Sequence, residues 1–127
     1  MTLHRQSLIL TEACPIRDVL DRLGDRWTVL VLHELAAGTL RFSELRKRIA
    51  DISPRMLAQT LRHLEQDGLV KRDVFPTVPP RVDYTLTALG TSFFERVEML
   101  ARWAAENHEA VKAARRAYVA PAANAPK

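Results

Sequence analysis

Four side chains in one stretch of the sequence have the types and spacing to read base edges: Arg55, Gln59, Arg62 and Gln66. They recur every three or four residues, so at about 100° per residue they share one arc of an α-helix. Leu57, Leu61 and Leu64 fall on the opposite arc. Arginine makes paired hydrogen bonds to guanine and glutamine to adenine, both in the major groove. No acid interrupts the polar arc; His63 stands at its edge and Glu65 nearer the apolar boundary. A helix that needed only solubility would more often mix Glu and Lys there. A plain solvated face is the alternative.

The residues just before this arc add a second kind of chemistry. Ser53 followed by Pro54 is an N-cap with proline in the first turn, a strong helix start. The free backbone N–H groups there, with Ser53, suit a phosphate. Arg41, Arg46, Lys47 and Arg48 would flank the helix as clamps on a phosphate backbone, with surface solubilisation as the alternative. Arg81 has two readings: a contact to a minor groove or phosphate, or an ion pair with Asp83 or Asp73. The charge follows the same geography. Residues 41–72 hold eight basic and four acidic residues, an excess equal to the net charge of +4 of the whole chain. Such concentration is the footprint expected of a nucleic-acid reader.

Other chemistries find little support. His4, His33, His63 and His108 fall on different elements, and no Ser–His or Cys–His spacing or Gly-rich phosphate loop occurs, so an enzyme is not expected. Single His and Cys residues give no zinc-ligand spacing, and no cofactor or metal is expected. Cys14 is the one cysteine, which excludes an internal disulfide. It lies just before a helix N-terminus, with Arg17 nearby, a setting that favours a thiolate. A buried, inert thiol is the alternative. Trp27 and Trp103 read as core anchors rather than a ligand cage.

The elements that must position these residues follow from periodicity and punctuation. Pro15 opens a helix with Ile16, Val19, Leu20 and Leu23 at helical spacing, closed by Gly24. Asp25 caps a second helix through Trp27, Leu30, Val31, Glu34 and Leu35 to near Gly38. Leu40 to Phe42 is a short extended stretch, and Phe42 or Ser43 opens a third helix with Leu45, Arg46 and Ile49. A short turn then leads to the fourth helix, which Gly68 ends, so the pair forms a helix-turn-helix. Residues 69–75 and 81–86 read as strands around a Pro-rich turn at 76–80. A last helix begins at Thr87 and runs to about Ala117, with an apolar stripe of Phe93, Val97, Leu100, Ala104 and Val111. The Ala- and Pro-rich tail, 118–127, is expected to fray. The 127 residues thus read as one domain with its core at about 14–117, mainly α with a small β component (α+β): a winged helix-turn-helix. No apolar run reaches the ~18 residues that span a bilayer, and the start is too short for a signal segment, so a cytoplasmic protein with no membrane role is the default.

Several fragments in order sharpen this reading: Cys14-Pro15-Ile16, Gly24-Asp25-Arg26-Trp27, Arg41-Phe42-Ser43-Glu44-Leu45, Ile52-Ser53-Pro54-Arg55-Met56-Leu57, Leu61 to Val70 and Pro79 to Thr87. The chain resembles the HxlR-type transcriptional regulators, a branch of the MarR-like winged-helix proteins, over about Cys14 to Trp103. The resemblance implies a homodimer bound to an inverted repeat of double-stranded DNA, with the fourth helix in the major groove. It implies flanking helices that dimerise, here Ile16 and Leu20 with Phe93, Val97, Leu100, Trp103 and Ala104. It also implies that Cys14 answers oxidants or electrophiles. With one cysteine, a Cys14–Cys14 bridge across the dimer, a mixed disulfide or a sulfenic acid is the available chemistry. Two alternatives stand beside it: a regulator of small-molecule response with an inert Cys14, and a winged-helix protein-interaction module that does not bind DNA.

Overall fold

The structure, a computed structural model, describes residues 15–121, with side chains from Arg17 onward. Cys14 and the side chain of Ile16 therefore lie outside the described residues. The elements run α1 (Pro15–Leu23), α2 (Arg26–Ala36), β1 (Leu40–Arg41), α3 (Phe42–Arg48), α4 (Pro54–Gln66), β2 (Val70–Phe75), β3 (Arg81–Leu86) and α5 (Ala88–Ala117). The chain divides into two compact units, Met1–Phe94 and Glu95–Lys127, with the boundary inside α5.

Local chemistry sets the helix ends. Asp25 Oδ1 accepts the N–H of Trp27 at 3.0 Å and caps α2, as its position predicts. Ser53 Oγ accepts the N–H of Met56 at 3.0 Å, with Pro54 in the first turn of α4. Gly68, at φ 76°, lets the chain leave α4: the N–H of Leu69 returns to the carbonyl of Leu64 at 3.0 Å. Of the two readings for the start of α3, Phe42 is the first helical residue, and the N–H of Arg41 bonds Glu44 Oε1 at 2.8 Å.

The extended stretch before α3 turns out to be a strand. Leu40 pairs with Tyr84 and Arg41 with Asp83, giving an antiparallel sheet in the order β1-β3-β2. In the hairpin Val70 faces Leu86 and Phe75 faces Arg81 across the turn 76–80. One core holds the first unit together. Val31, Leu32 and Leu35 of α2, Leu45 of α3, and Leu57, Leu61 and Leu64 of α4 are almost wholly buried. Each such side chain contributes about 1.5–3 kcal/mol on leaving water. Trp27 and Phe93 pack against this cluster, so Trp27 is the anchor the sequence predicts. Trp103, on α5 in the second unit, is not: it is 55% exposed.

Two features of the first unit owe their cause to residues distant in sequence. Arg22, in the last turn of α1, grips Asp67 at the C-terminal cap of α4 along one edge of its guanidinium, Nε to Oδ2 at 2.5 Å and Nη2 to Oδ1 at 3.2 Å. The hydrogen bond to Asp67 raises the Arg22 pKa above its ordinary value. Gly90, in the first turn of α5, lies against the backbone of Leu69 so closely that a Cβ would stand 2.0 Å from that carbonyl oxygen.

Candidate nucleic-acid interface

Helices α3 and α4 and the turn between them, residues 49–53, form a helix-turn-helix. Asp51 takes the left-handed conformation in that turn, φ 74°, a geometry that aspartate tolerates. The burial of α4 is one-sided. Leu57, Leu61 and Leu64 point into the core, while Arg55, Gln59, Arg62 and Gln66 are all exposed. None of the four side chains makes a hydrogen bond or ion pair with another described residue. Their forks of donors and acceptors are thus unspent, which is the state a base-reading face requires. His63 is half-buried at the edge of the arc. The Ser53 hydroxyl is exposed but already serves as the helix cap.

The flanking cations differ in commitment. Arg41, Arg46 and Lys47 are exposed, and neither Arg46 nor Lys47 pairs with a described acid. Arg48, exposed, reaches half-buried Glu34 at 3.7 Å, a long pair of small energetic weight. Arg81 takes the second of its two readings: Nε lies 3.2 Å from Asp83 Oδ1, and Nη2 donates to Oδ2 at 3.3 Å. Its guanidinium also stacks over the Phe75 ring, 4.6 Å from the centroid. Asp73, the other candidate partner, sits instead 3.4 Å from Lys71. Arg81 therefore braces the hairpin across its first strand pair. An open groove of about 550 Å³ lies beside it, between the start of α3 (Arg41, Phe42, Ser43) and the hairpin turn. The turn itself is apolar, with Val78 fully exposed.

The residues expected at a dimer contact separate into two groups. Phe93 is half-buried on the core and Val97 is 7% exposed, so both are largely spent within the chain. Leu20, Leu100 and Trp103 are each more than half exposed, as is Met99, which the sequence reading did not single out. Among the described residues no helix is long and apolar enough to cross a membrane.

Comparison with known proteins gives this arrangement its relatives. The model of the HxlR-like helix-turn-helix matches residues 22–112. The uncharacterized HTH-type transcriptional regulator YtfH of Escherichia coli (strain K12) is 46% identical over 111 residues, covering 87% of this chain and 88% of that protein. The solved structure of ytfH from Salmonella typhimurium superposes with a TM-score of 0.73 at 45% identity, over 85% of this chain and 96% of that one. The redox regulator HypR in its reduced form superposes with a TM-score of 0.72 at 34% identity, over 78% of this chain and 98% of that one. The winged helix-turn-helix read from periodicity is thus the fold of known regulators, and the chain belongs to the HxlR-like helix-turn-helix transcriptional regulators.

Proposed function

We propose that this chain regulates transcription by binding an inverted repeat of double-stranded DNA as a homodimer, with α4 in the major groove. One observation carries the reading: α4 buries its leucine face completely and leaves Arg55, Gln59, Arg62 and Gln66 exposed and unpaired. Arg62 and Arg55 would pair with guanines, and Gln59 and Gln66 with adenines. Arg41, Arg46 and Lys47 would hold the phosphate backbone and set register. Arg48 and Ser53 would assist at the same backbone, and His63 would stand at the edge of the reading face. Leu20, Leu100, Trp103 and Ala104 would supply the dimer contact, together with Ile16. Exposed apolar groups of this size favour a covered surface.

A second reading concerns control. HypR has been solved in a reduced and an oxidised form, which favours a thiol response in this chain too. Cys14 is its one thiol. Two Cys14 thiols, one from each protomer, would lose two electrons and two protons to an added oxidant such as diamide, forming one disulfide.

The test is fluorescence anisotropy over a salt series, with DNA selected by the protein from a random pool and a scrambled duplex as control. Binding that falls steeply with salt yet stays far above the scrambled control is expected. Equal binding to both duplexes, or none at low salt by the folded dimer, would overturn the reading.

A further inference from the structure

We infer that the Arg22–Asp67 pair ties the dimer-forming helix to the reader helix, making Arg22 a positioning residue for the spacing of two half-sites. The inference rests on the DNA-binding reading above. Asp67 caps the C-terminal end of α4, where the helix macrodipole disfavours a negative charge. The helix itself gains nothing from a carboxylate there; the gain comes from Arg22, 45 residues away in sequence. The contact is fork on fork, two parallel hydrogen bonds that fix direction as well as distance. Asp18 and Asp21 on α1 add to the field at Arg22 but do not replace this partner.

The surroundings explain why such a tie matters. On α1 the side chains from Arg17 to Asp21 are exposed, and only Arg22 and Leu23 of its described side chains are half-buried. The last turn therefore seats α1, while Leu20, two residues earlier, stands free for a partner copy. At the other end of the tie, Gln66 of the reading face directly precedes Asp67. A homodimer must hold its two reader helices about one DNA turn apart, roughly 34 Å. A displacement of α1 imposed by the partner is passed through Arg22 to the end of α4 that carries Gln66. Arginine at position 22 thus makes half-site spacing a property of the dimer contact.

The experiment uses the full chain and the operator it selects. Affinity is measured for that operator, for versions with the half-sites one base pair nearer or farther, and for an isolated half-site. Wild type is expected to prefer the selected spacing. Arg22→Ala should weaken that preference by up to about five-fold, the ceiling for a partly exposed ion pair. Its isolated half-site affinity and its dimerisation by sedimentation should stay unchanged. The charge swap Arg22→Asp with Asp67→Arg should restore the preference, and carries the test should Arg22→Ala fail to fold. Spacing preference retained by Arg22→Ala, or lost equally at the isolated half-site, would overturn the inference alone. A wild type indifferent between operator and scrambled DNA would overturn the DNA-binding reading and this inference with it.

Discussion

Gly90→Ala sets two known effects against each other, and the structure decides the sign. In an open helix the change stabilises by about 1 kcal/mol, because alanine is the better helix former. At position 90 the added Cβ would stand 2.0 Å from the Leu69 oxygen, 2.9 Å from its carbon and 3.2 Å from Leu86 Cδ2. The carbonyl of Leu69 is not free to retreat, since it accepts the N–H of Thr87 at 3.1 Å. Thr87 is itself fixed: its hydroxyl donates to the carbonyl of Gly68 at 2.6 Å and accepts the N–H of Gly90 at 3.0 Å. Relieving the overlap takes a backbone movement of roughly 1 Å, against contact distances that allow far less. Overpacking of this kind costs about 1–3 kcal/mol and more when backbone must yield. The net result is a loss of about 2 kcal/mol, or roughly 8 °C in the thermal midpoint of a chain this long. Thermal and urea unfolding at one fixed protein concentration would read it, since the proposed dimerisation would make the midpoint concentration-dependent. A Gly90→Ala variant as stable as wild type, or more so, would refute the steric argument.

The remaining predictions concern the proposed interface and the thiol. Arg62→Ala and Gln59→Ala should each lose about 1–3 kcal/mol of discrimination between operator and scrambled duplex, read by anisotropy competition, with folding unchanged by circular dichroism. Lys47→Ala should weaken binding to every duplex alike and lower the salt slope by about one, so a sequence-dependent loss would count against a phosphate role. Cys14→Ser should leave operator binding intact in reductant and abolish its response to diamide; an unchanged response would sink the thiol reading. Leu61→Ala should cost about 2–5 kcal/mol by opening a cavity under the reader helix, measured by urea unfolding.

The legible parts of this molecule are those whose cause is local. Ser53-Pro54 starts α4 and Gly68 ends it because capping and left-handed exits act within a turn. The division of α4 into a leucine face and an Arg–Gln face follows from the helical repeat alone. The Arg22–Asp67 tie joins residues 45 apart, and no periodicity connects them. Gly90 gives a faint signal, a glycine in the first turn of a helix behind a threonine cap, but its reason lies in the backbone of Leu69. Arg81 shows an intermediate case. Two acids stood within reach in sequence, and only the strand register, with Asp73 facing Asp83 and Lys71 beside Asp73, selects between them. Leu100, 59% exposed, shows the limit of an apolar stripe. Periodicity says that a face wants covering and is silent about whether the same chain or another copy covers it.

The confinement of the charge excess to residues 41–72 has a consequence for how this molecule arrives at a polyanion. A uniformly positive sphere would be drawn in at any attitude and would then have to search by rotation. Here the remaining residues sum to no net charge, so within the first unit the field is uneven, strongest beside α3 and α4. An approaching molecule feels a torque as well as a pull, within about 10 Å at 0.1 M salt. It turns before it touches, and a larger share of collisions begins with α4 foremost. Raising the ionic strength removes the torque along with the attraction, so arrivals become both rarer and worse aimed.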